Sequence, residues 1–177
     1  MPRTQPNIII TGTPGVGKTS HCDVLAVNTG LKHLSINRIV KDRGCHDGWD
    51  DEHQSWIVDE DKLLDSLEDE LPLGGHIIDW HACDLFPKSW IDLVVVLRTD
   101  STKLYDRLKA RKYPEQKLQE NLDSEIMEVL LDEARGSYDQ GIVVELRSDE
   151  ADDIEGNVGR IETWIKHWEQ DQVASAA

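Results

Sequence analysis

Short apolar runs alternate with segments of helical periodicity along most of the chain. Ile8, Ile9 and Ile10 form the first run, and LVVVLR at 93–98 is apolar at nearly every position, which is typical of a parallel strand covered on both faces. Because helical segments separate the apolar runs, the pattern predicts a three-layer α/β fold, with a five-stranded parallel sheet and helices on both faces. The predicted strands are 8–10, 31–36, 76–80, 93–98 and 142–146.

Apolar residues at helical spacing predict six helices. Five of them cover 18–28, 37–44, 59–71, 100–112 and one long stretch from Leu118 to Tyr138. The sixth has an inner stripe from Ile154 to Trp168, and the tail at 171–177 is expected to fray. The acidic segment at 45–56 is predicted to be a loop within a moving arm.

The segment GTPGVGKTS, residues 12–20, joins the first predicted strand to the first predicted helix. Its glycine spacing before a Lys-Thr pair matches the P-loop pattern, in the strand-to-helix context that the pattern requires. Glycines let backbone N–H groups converge on phosphate oxygens, while the lysine and the helix dipole add positive charge. A glycine-rich turn without a ligand is the alternative. The predicted ATP-binding residues are Gly12, Gly15, Gly17, Lys18, Thr19 and Ser20.

The chain is strongly acidic, and its charges are segregated. A formal net charge of -16 argues against a protein whose main contact is the phosphate backbone of nucleic acid. Seven of the 19 lysines and arginines lie between Arg98 and Lys117, whereas residues 47–70 contain eleven acids and one cation. The two regions are therefore expected to meet different partners. At 177 residues, the chain is expected to form a single domain, residues 1–177.

The cysteines and the lack of long apolar runs predict a cytosolic or nuclear protein. Cys22, Cys45 and Cys83 have no CxxC spacing, so reduced thiols are expected. No apolar run approaches the length needed to cross a bilayer, and MPRTQPN lacks a hydrophobic targeting core. We therefore expect no membrane partner. The protein is also expected to be monomeric on its own.

A P-loop indicates that phosphate is bound without indicating what becomes of it. The NKxD string with which regulatory GTPases read guanine does not occur, and motor or transport ATPases need a larger domain. The small size, the proline in TPGVGKT and the basic segment between the fourth and fifth strands favour a small kinase acting on a small acceptor.

Beyond the P-loop, the sequence resembles the small nuclear adenylate kinase family, also called coilin-interacting nuclear ATPase. The resemblance covers nearly the whole chain. It is carried by NIIITGTPGVGKTS, DGWDDE, VDEDKLLDSL, GGHIIDWHACDLFP, VVVLRTD, LYDRLKARKY and KLQENLDSEI. HIIDWHACD is the most specific string, because ordinary adenylate kinases have Asp-Gly-Phe-Pro-Arg at this strand end, and here Asp79 to Asp84 replace it.

The resemblance implies a P-loop nucleoside monophosphate kinase fold, with a monophosphate-binding arm at about 35–58 and a lid at about 111–120. It implies Mg²⁺-dependent transfer of the γ-phosphoryl group of ATP to AMP, which gives two ADP, with an accompanying ATPase activity. It further implies a role in maturation of 18S rRNA and the small ribosomal subunit, association with the pre-ribosome, and both nuclear and cytoplasmic location.

Asp79 and His81 are the predicted catalytic residues of the HIIDWHACD string. Asp79 ends an apolar strand near the P-loop, where a carboxylate can hold a water on Mg²⁺ while Thr19 supplies its hydroxyl; an acid that caps a turn is the alternative. His81 can bind a phosphate or orient a water, or be an ordinary loop histidine. The resemblance favours the functional role, because the matching histidine belongs to the DxH motif of the family. Both residues are also expected to contact AMP.

Arg107 and Arg111 lie one helical turn apart, so both can face the same side of their helix. The resemblance places the segment that they introduce in a lid, with Arg111 at a nucleotide-contacting position. Guanidinium groups can bind phosphate with two prongs and stabilise charge on a moving phosphoryl group. Both arginines are therefore predicted to be catalytic together with Lys18, and a solvated basic helix face is the alternative.

Lys41 stands where the family has an arginine that is aimed at the phosphate of AMP. Lysine keeps the charge but lacks the planar fork of arginine. We therefore expect weaker or less selective binding of the monophosphate, with Arg38, one turn earlier, able to compensate.

Two functional interpretations are compatible with these features. The first is the kinase reaction described above. The second is an ATP-switched assembly factor whose main event is slow hydrolysis coupled to a protein partner. The resemblance implies that this partner is a ribosomal protein of the small subunit, and the acidic arm would attract such a basic protein. Solubility is an equally simple explanation of those acids.

Overall fold

The computed structural model describes residues 2–177. Its strands are β1 (Asn7–Thr11), β2 (Lys32–Ser35), β3 (His46–Asp50), β4 (Ser55–Val58), β5 (His76–Asp79), β6 (Leu93–Arg98) and β7 (Val143–Arg147). Its helices are α1 (Lys18–Thr29), α2 (Ile36–Asp42), α3 (Glu60–Leu67), α4 (Ser101–Ala110), α5 (Glu115–Ile126), α6 (Val129–Ser137) and α7 (Asp152–Ala176). Short 3₁₀ turns lie at Leu71–Leu73, Lys88–Trp90 and Gln140–Ile142.

Five parallel strands form the central sheet in the order β2-β5-β1-β6-β7. The central strand β1 is completely buried, and consecutive side chains of such a strand point to opposite faces. Ile9 accordingly joins one hydrophobic cluster with α2, α3 and α6, while Ile8 and Ile10 join a second with α1, α4, α5 and α7. The predicted α/β fold, a parallel sheet covered by helices on both faces, is confirmed.

The structure corrects the predicted helix between Leu118 and Tyr138, which is two helices. Leu118 and Leu122 of α5 pack on one face of the sheet, whereas Leu131 and Ala134 of α6 pack on the other. One straight helix cannot reach both faces. The chain turns at Glu128, whose φ of 57° is left-handed.

A buried ion pair marks the end of α5. The Arg98 guanidinium, at the end of β6, donates hydrogen bonds to the carboxylate and to the backbone carbonyl of Glu125. Both side chains are almost fully buried, and a buried charge of this kind requires a partner. The contact therefore ties the end of α5 to the carboxyl edge of the sheet.

The structure also corrects the acidic segment at 45–56, which was predicted to be a loop. Most of it forms an antiparallel hairpin of β3 and β4, in which Trp49 pairs with Trp56. Their ring centroids are 5.1 Å apart in an edge-to-face arrangement, a geometry that stabilises aromatic pairs. Asp50 supports the tip of the hairpin by accepting hydrogen bonds from the backbone N–H groups of Glu52 and His53.

The C-terminal prediction was partly wrong, because α7 continues to Ala176 instead of fraying from residue 171. Within residues 2–177, no helix is both long and apolar enough to span a bilayer.

Candidate functional site

A cleft of about 950 Å³ lies at the carboxyl edge of the sheet. Parallel α/β sheets place ligand sites at this edge, because loops from neighbouring strands meet there. The wall of the cleft comes from the loop after β1, from α2, from the β3-β4 hairpin, from the end of β5 and from the segment that leads into α5. Lys18, Thr19, Ser20, Arg38, Lys41, Asp79, His81 and Arg111 all line it.

The P-loop packs directly against the end of β6. A Cβ atom on Gly12 would lie 2.8 Å from the carbonyl oxygen of Leu97 and 2.7 Å from Val16 Cγ2, so only glycine fits there. Gly17 has a left-handed φ of 97° immediately before α1 begins. Gly12 itself lies behind the cleft, whereas Gly15 and Gly17 line it. The loop therefore presents its backbone to the cleft at the N-terminus of a helix, an arrangement suited to anions.

Lys18 is folded back onto the P-loop. Its Nζ donates hydrogen bonds to the carbonyl oxygens of Gly12, at 2.8 Å, and Thr13, at 3.2 Å. Burial lowers the pKa of Lys18 to about 8; the charge of Asp79 opposes the shift and that of Arg111 adds to it. Lys18 and Arg111 both line the cleft, so an anion in the cleft would be attracted to both groups.

Asp79 lies at the base of the cleft and is largely buried. Its Oδ2 atom accepts a hydrogen bond from the Thr19 hydroxyl at 2.9 Å and lies 2.9 Å from Nε2 of His33. The structure thus brings together the two residues that the sequence predicts as Mg²⁺ ligands. It also adds His33, which sequence reasoning missed.

His81 lines the cleft two residues beyond Asp79. Its surface is exposed to the cleft, yet desolvation by the surrounding protein and the charges of Lys18 and Lys117 lower its pKa to about 4. The imidazole is therefore neutral at pH 7 and can both accept and donate a hydrogen bond.

The two arginines of the basic segment occupy different environments. Arg111 lines the cleft, as expected for a residue that contacts nucleotide. Arg107 does not line it: its guanidinium donates to the carbonyl oxygens of Gly15 at 3.3 Å, Ser148 at 3.0 Å and Asp149 at 2.7 Å. In this conformation, Arg107 holds the P-loop against the end of β7.

A network behind the P-loop also escaped sequence reasoning. The Ser148 hydroxyl donates to the carbonyl oxygen of Val16, and Nδ1 of His21 lies 2.7 Å from that of Gly17. The side-chain amide of Asn157 then lies 3.1 Å from Nε2 of His21. No local motif signals these residues, because they come from the residue after β7, from α1 and from α7, and meet only in the folded chain.

The segments predicted to be the arm and the lid meet across the mouth of the cleft. At the hairpin tip, the backbone carbonyl of Gln54 lies 3.5 Å from Lys117 Nζ, and Nε2 of His53 lies 3.5 Å from Glu120. Gln116 also donates a hydrogen bond to Glu52 at 3.2 Å. These contacts are exposed and polar, so each is weak enough to break when substrates enter or leave. That the two segments move stays a prediction.

Comparison with known proteins agrees with this geometry. A family model described as an AAA domain matches residues 8–128. The adenylate kinase isoenzyme 6 homolog of Dictyostelium discoideum is 52% identical over 166 residues, covering 94% of this chain and 95% of that protein. The homolog HBR1 of Candida albicans is 55% identical, covering 93% of this chain and 70% of that protein.

Solved structures with low sequence identity share the fold alone. Shikimate kinase from Bacteroides thetaiotaomicron matches with a TM-score of 0.63 at 14% identity, covering 92% of this chain and 99% of that chain. Shikimate kinase from Acinetobacter baumannii, in complex with shikimate, matches with a TM-score of 0.63 at 19% identity, covering 93% and 95%.

The fold, the P-loop and the cleft define a P-loop protein of the nucleotide kinase and ATPase class. Within that class, the identity to curated relatives over nearly the whole chain shows that it belongs to the adenylate kinase isoenzyme 6 family.

We predict that Lys18→Met stabilises the nucleotide-free protein by about 1 kcal/mol at pH 7, because it removes a half-buried charge whose pKa is lowered. The same substitution should abolish the thermal shift produced by ATP or ADP. Between pH 8 and 10.5, the unfolded wild-type chain binds more protons than the folded one, so wild-type stability should rise with pH there and the variant should lack that rise.

Chemical denaturation across this pH range, with and without nucleotide, measures these effects. Lys109→Met is the matched control, since Lys109 is exposed on α4 and does not line the cleft. A nucleotide-dependent shift that survives in Lys18→Met would contradict the assignment of the site.

Proposed function

We propose that the protein is an adenylate kinase that transfers the γ-phosphoryl group of MgATP to AMP and forms two ADP. The observation that carries this proposal is the placement of two groups of cations in one cleft. Lys18 and Arg111 lie on the P-loop and lid side, whereas Arg38 and Lys41 come from α2 in the arm. In a chain of net charge -16, two cationic ends in one cleft fit two phosphate-bearing substrates better than one.

The aromatic lining favours a nucleotide at the acceptor end. Trp49 and Trp56 of the hairpin line the cleft together with Arg38 and Lys41. Flat apolar rings can pack against a purine while the cations hold its phosphate. Shikimate kinases have a similar fold but a different acceptor, shikimate, so the likeness of fold alone does not select AMP.

The residues at the base of the cleft fit Mg²⁺. The Thr19 hydroxyl and the Asp79 carboxylate are oxygen ligands of the kind that Mg²⁺ prefers, and they already lie 2.9 Å apart. Thr19 would hold the ion directly, and Asp79 would hold it through a water. When bound, the ion supplies positive charge that offsets the charge of the phosphates.

Positioning and charge neutralisation would provide most of the catalysis. A phosphate oxygen of AMP attacks the γ-phosphorus, a new P–O bond forms, and the bond between that phosphorus and the bridging oxygen of ADP breaks. Because the attacking phosphate oxygen of AMP is already ionised at pH 7, no general base is required, and the bridging oxygen leaves as part of ADP. Phosphate oxygens would replace Gly12 and Thr13 as the acceptors of the Lys18 hydrogen bonds, and Arg111 would stabilise charge on the moving group.

His81 accounts for the accompanying ATPase activity in this proposal. A neutral imidazole on the cleft wall can accept a hydrogen bond from a water and aim its oxygen at the γ-phosphate. The same imidazole can hydrogen-bond AMP when AMP is present. Contacts between the hairpin tip and the start of α5 would close the mouth and limit entry of other waters.

Measurement of ADP production from MgATP tests this proposal. With wild-type protein, AMP should increase the rate at least roughly tenfold, since transfer to a held acceptor is favoured over hydrolysis. With His81→Gly, the rate without AMP should fall roughly tenfold or more through loss of the oriented water. An ATPase rate that AMP does not increase would contradict the kinase assignment and leave an ATP hydrolase.

We further predict that Lys41→Arg lowers the KM for AMP by roughly fivefold, because a guanidinium can hold a phosphate with two parallel hydrogen bonds. The KM for ATP should not change, since Lys41 lies on α2 and not on the P-loop. Lys109→Arg, outside the cleft, is the control for a general effect of arginine. Steady-state kinetics with AMP varied would count against this role of Lys41 if the KM for AMP stayed the same.

One surface supports a second role for the protein. In this role it is an ATP-switched factor that binds a basic small-subunit ribosomal protein in the nucleus and cytoplasm. Eight acids between residues 47 and 70 are exposed, and charges of one sign on a surface attract a partner of the opposite sign. We call this the acidic surface; it consists of Asp47, Asp51, Glu52, Glu60, Asp61, Asp65, Glu68 and Asp69.

Neutralisation of three of these acids by the substitutions Asp65→Asn, Glu68→Gln and Asp69→Asn should weaken retention of purified small-subunit ribosomal proteins roughly tenfold, and added salt should weaken wild-type retention. The control neutralises three exposed acids elsewhere: Asp123, Glu155 and Asp171. Equal loss in both triple variants would show that net charge alone is responsible, which would contradict a partner site on this surface.

A further inference from the structure

Three metal-ligating side chains meet beneath the P-loop. Cys22 lies on α1, His33 on β2 and Asp79 at the end of β5. Their ligand atoms all lie within 4.8 Å of one another. Cys22 is fully buried, and the other two side chains are largely covered, so the group is part of the packed interior and not a chance cluster on the surface.

His33 is held by a carboxylate on each side of its ring. Nε2 lies 2.9 Å from Asp79 Oδ2, and Nδ1 lies 3.2 Å from Asp23 Oδ1. If the Nδ1–H group donates a hydrogen bond to Asp23, Nε2 has two possible states. It can carry a second proton that faces Asp79, or it can direct a lone pair at a cation that it shares with Asp79. A carboxylate that orients the outer nitrogen of a metal-binding histidine is a recurrent feature of zinc sites.

We propose that Cys22, His33 and Asp79 form a binding site for a thiophilic divalent cation, with Zn²⁺ as the natural candidate. One sulfur, one nitrogen and one oxygen ligand suit Zn²⁺, which favours four-coordinate sites of Cys, His and Asp. Mg²⁺ would not select this set, because it binds oxygen ligands and avoids thiolates. Binding releases the thiol proton of Cys22 and any proton on His33 Nε2 to solvent.

The cleft provides a path for the ion. Asp79 and Thr19 line the cleft, whereas Cys22 lies one helical turn beyond Lys18, facing the interior. An ion that enters from the cleft meets the Asp79 carboxylate first and reaches the sulfur behind it. The Thr19 hydroxyl donates a hydrogen bond to Asp79, so that hydroxyl or a water would be available as the fourth ligand.

A cation bound at this site would change the role of Asp79 at the bottom of the cleft. Asp79 cannot bind a Zn²⁺ ion with Cys22 and His33 and at the same time freely orient a water on Mg²⁺. The bound ion would therefore inhibit phosphoryl transfer, a consequence that rests on the proposed kinase function. The site itself does not depend on that function.

Titration with Co²⁺ alone tests the site, because a thiolate bound to Co²⁺ gives a charge-transfer band in the near ultraviolet. The nucleotide-free protein should bind one equivalent with this band, and Zn²⁺ should displace it. Cys22→Ser should remove the band and weaken binding more than roughly 100-fold, whereas Asp23→Asn, which loses only the orienting carboxylate, should weaken it about 10-fold.

Cys45→Ser is the matched control, since Cys45 is equally buried but lies away from the group, near Ser66. A wild-type protein without the band, a band that persists in Cys22→Ser, or a band lost in Cys45→Ser would overturn the proposal. If Cys22→Ser does not fold by circular dichroism, His33→Gln decides, because unchanged Co²⁺ affinity in that variant would also overturn it.

The kinase assay separates this proposal from the proposed function. Zn²⁺ should inhibit ADP formation by the wild type, chelation should restore it, and Cys22→Ser should resist inhibition. A Co²⁺ band in a protein that AMP does not stimulate would refute the kinase assignment and leave the metal site standing. A kinase without the band would refute only the metal site.

Discussion

The close approach of the P-loop to the end of β6 is the constraint on which the site depends. At Gly12, the backbone passes so near the carbonyl oxygen of Leu97 that no side chain fits. Arg107 and Ser148 then hold the same loop from the side of β7 through backbone carbonyl oxygens. These contacts hold the loop in place without a ligand, and a loop that is already held in place loses little conformational freedom when it binds phosphate.

The positions of the charged residues matter more for the site than the net charge of the protein. Most of the acids lie outside the cleft, and only Asp42, Asp50, Asp79 and Glu120 line it, together with five cations: Lys18, Arg38, Lys41, Arg111 and Lys117. Because the cleft wall is partly apolar, these charges act on a bound anion with less screening than they would in water. Arg98 shows the opposite use of a basic residue, since its charge is neutralised in the interior by Glu125 and serves to anchor α5.

Sequence patterns predicted the features that arise from neighbouring residues. They failed where contacts between residues far apart in the sequence determine the structure. The five strands, the P-loop and most helices follow from apolar spacing and glycine placement. The long helix from 118 was wrong because its apolar stripe was continuous, and nothing local revealed that Leu122 and Leu131 pack on opposite faces of the sheet. The hairpin was not predicted because the acidic residues of this segment indicated a loop, and the pairing of Trp49 with Trp56 was not apparent from the sequence.

The candidate site shows the same division. By itself, the sequence determined the P-loop motif at residues 12–20, from which phosphate binding is predicted. It also predicted that Asp79 and Thr19 would meet, and it carried the resemblance to a nuclear adenylate kinase, because these features reside in short strings with a fixed local geometry. Only the tertiary structure decided that Arg107 supports the loop instead of facing the cleft, and that His33 and Cys22 lie beside Asp79. Those contacts join separate strands and helices, and the order of strands in the sheet sets their distances, which no local pattern encodes.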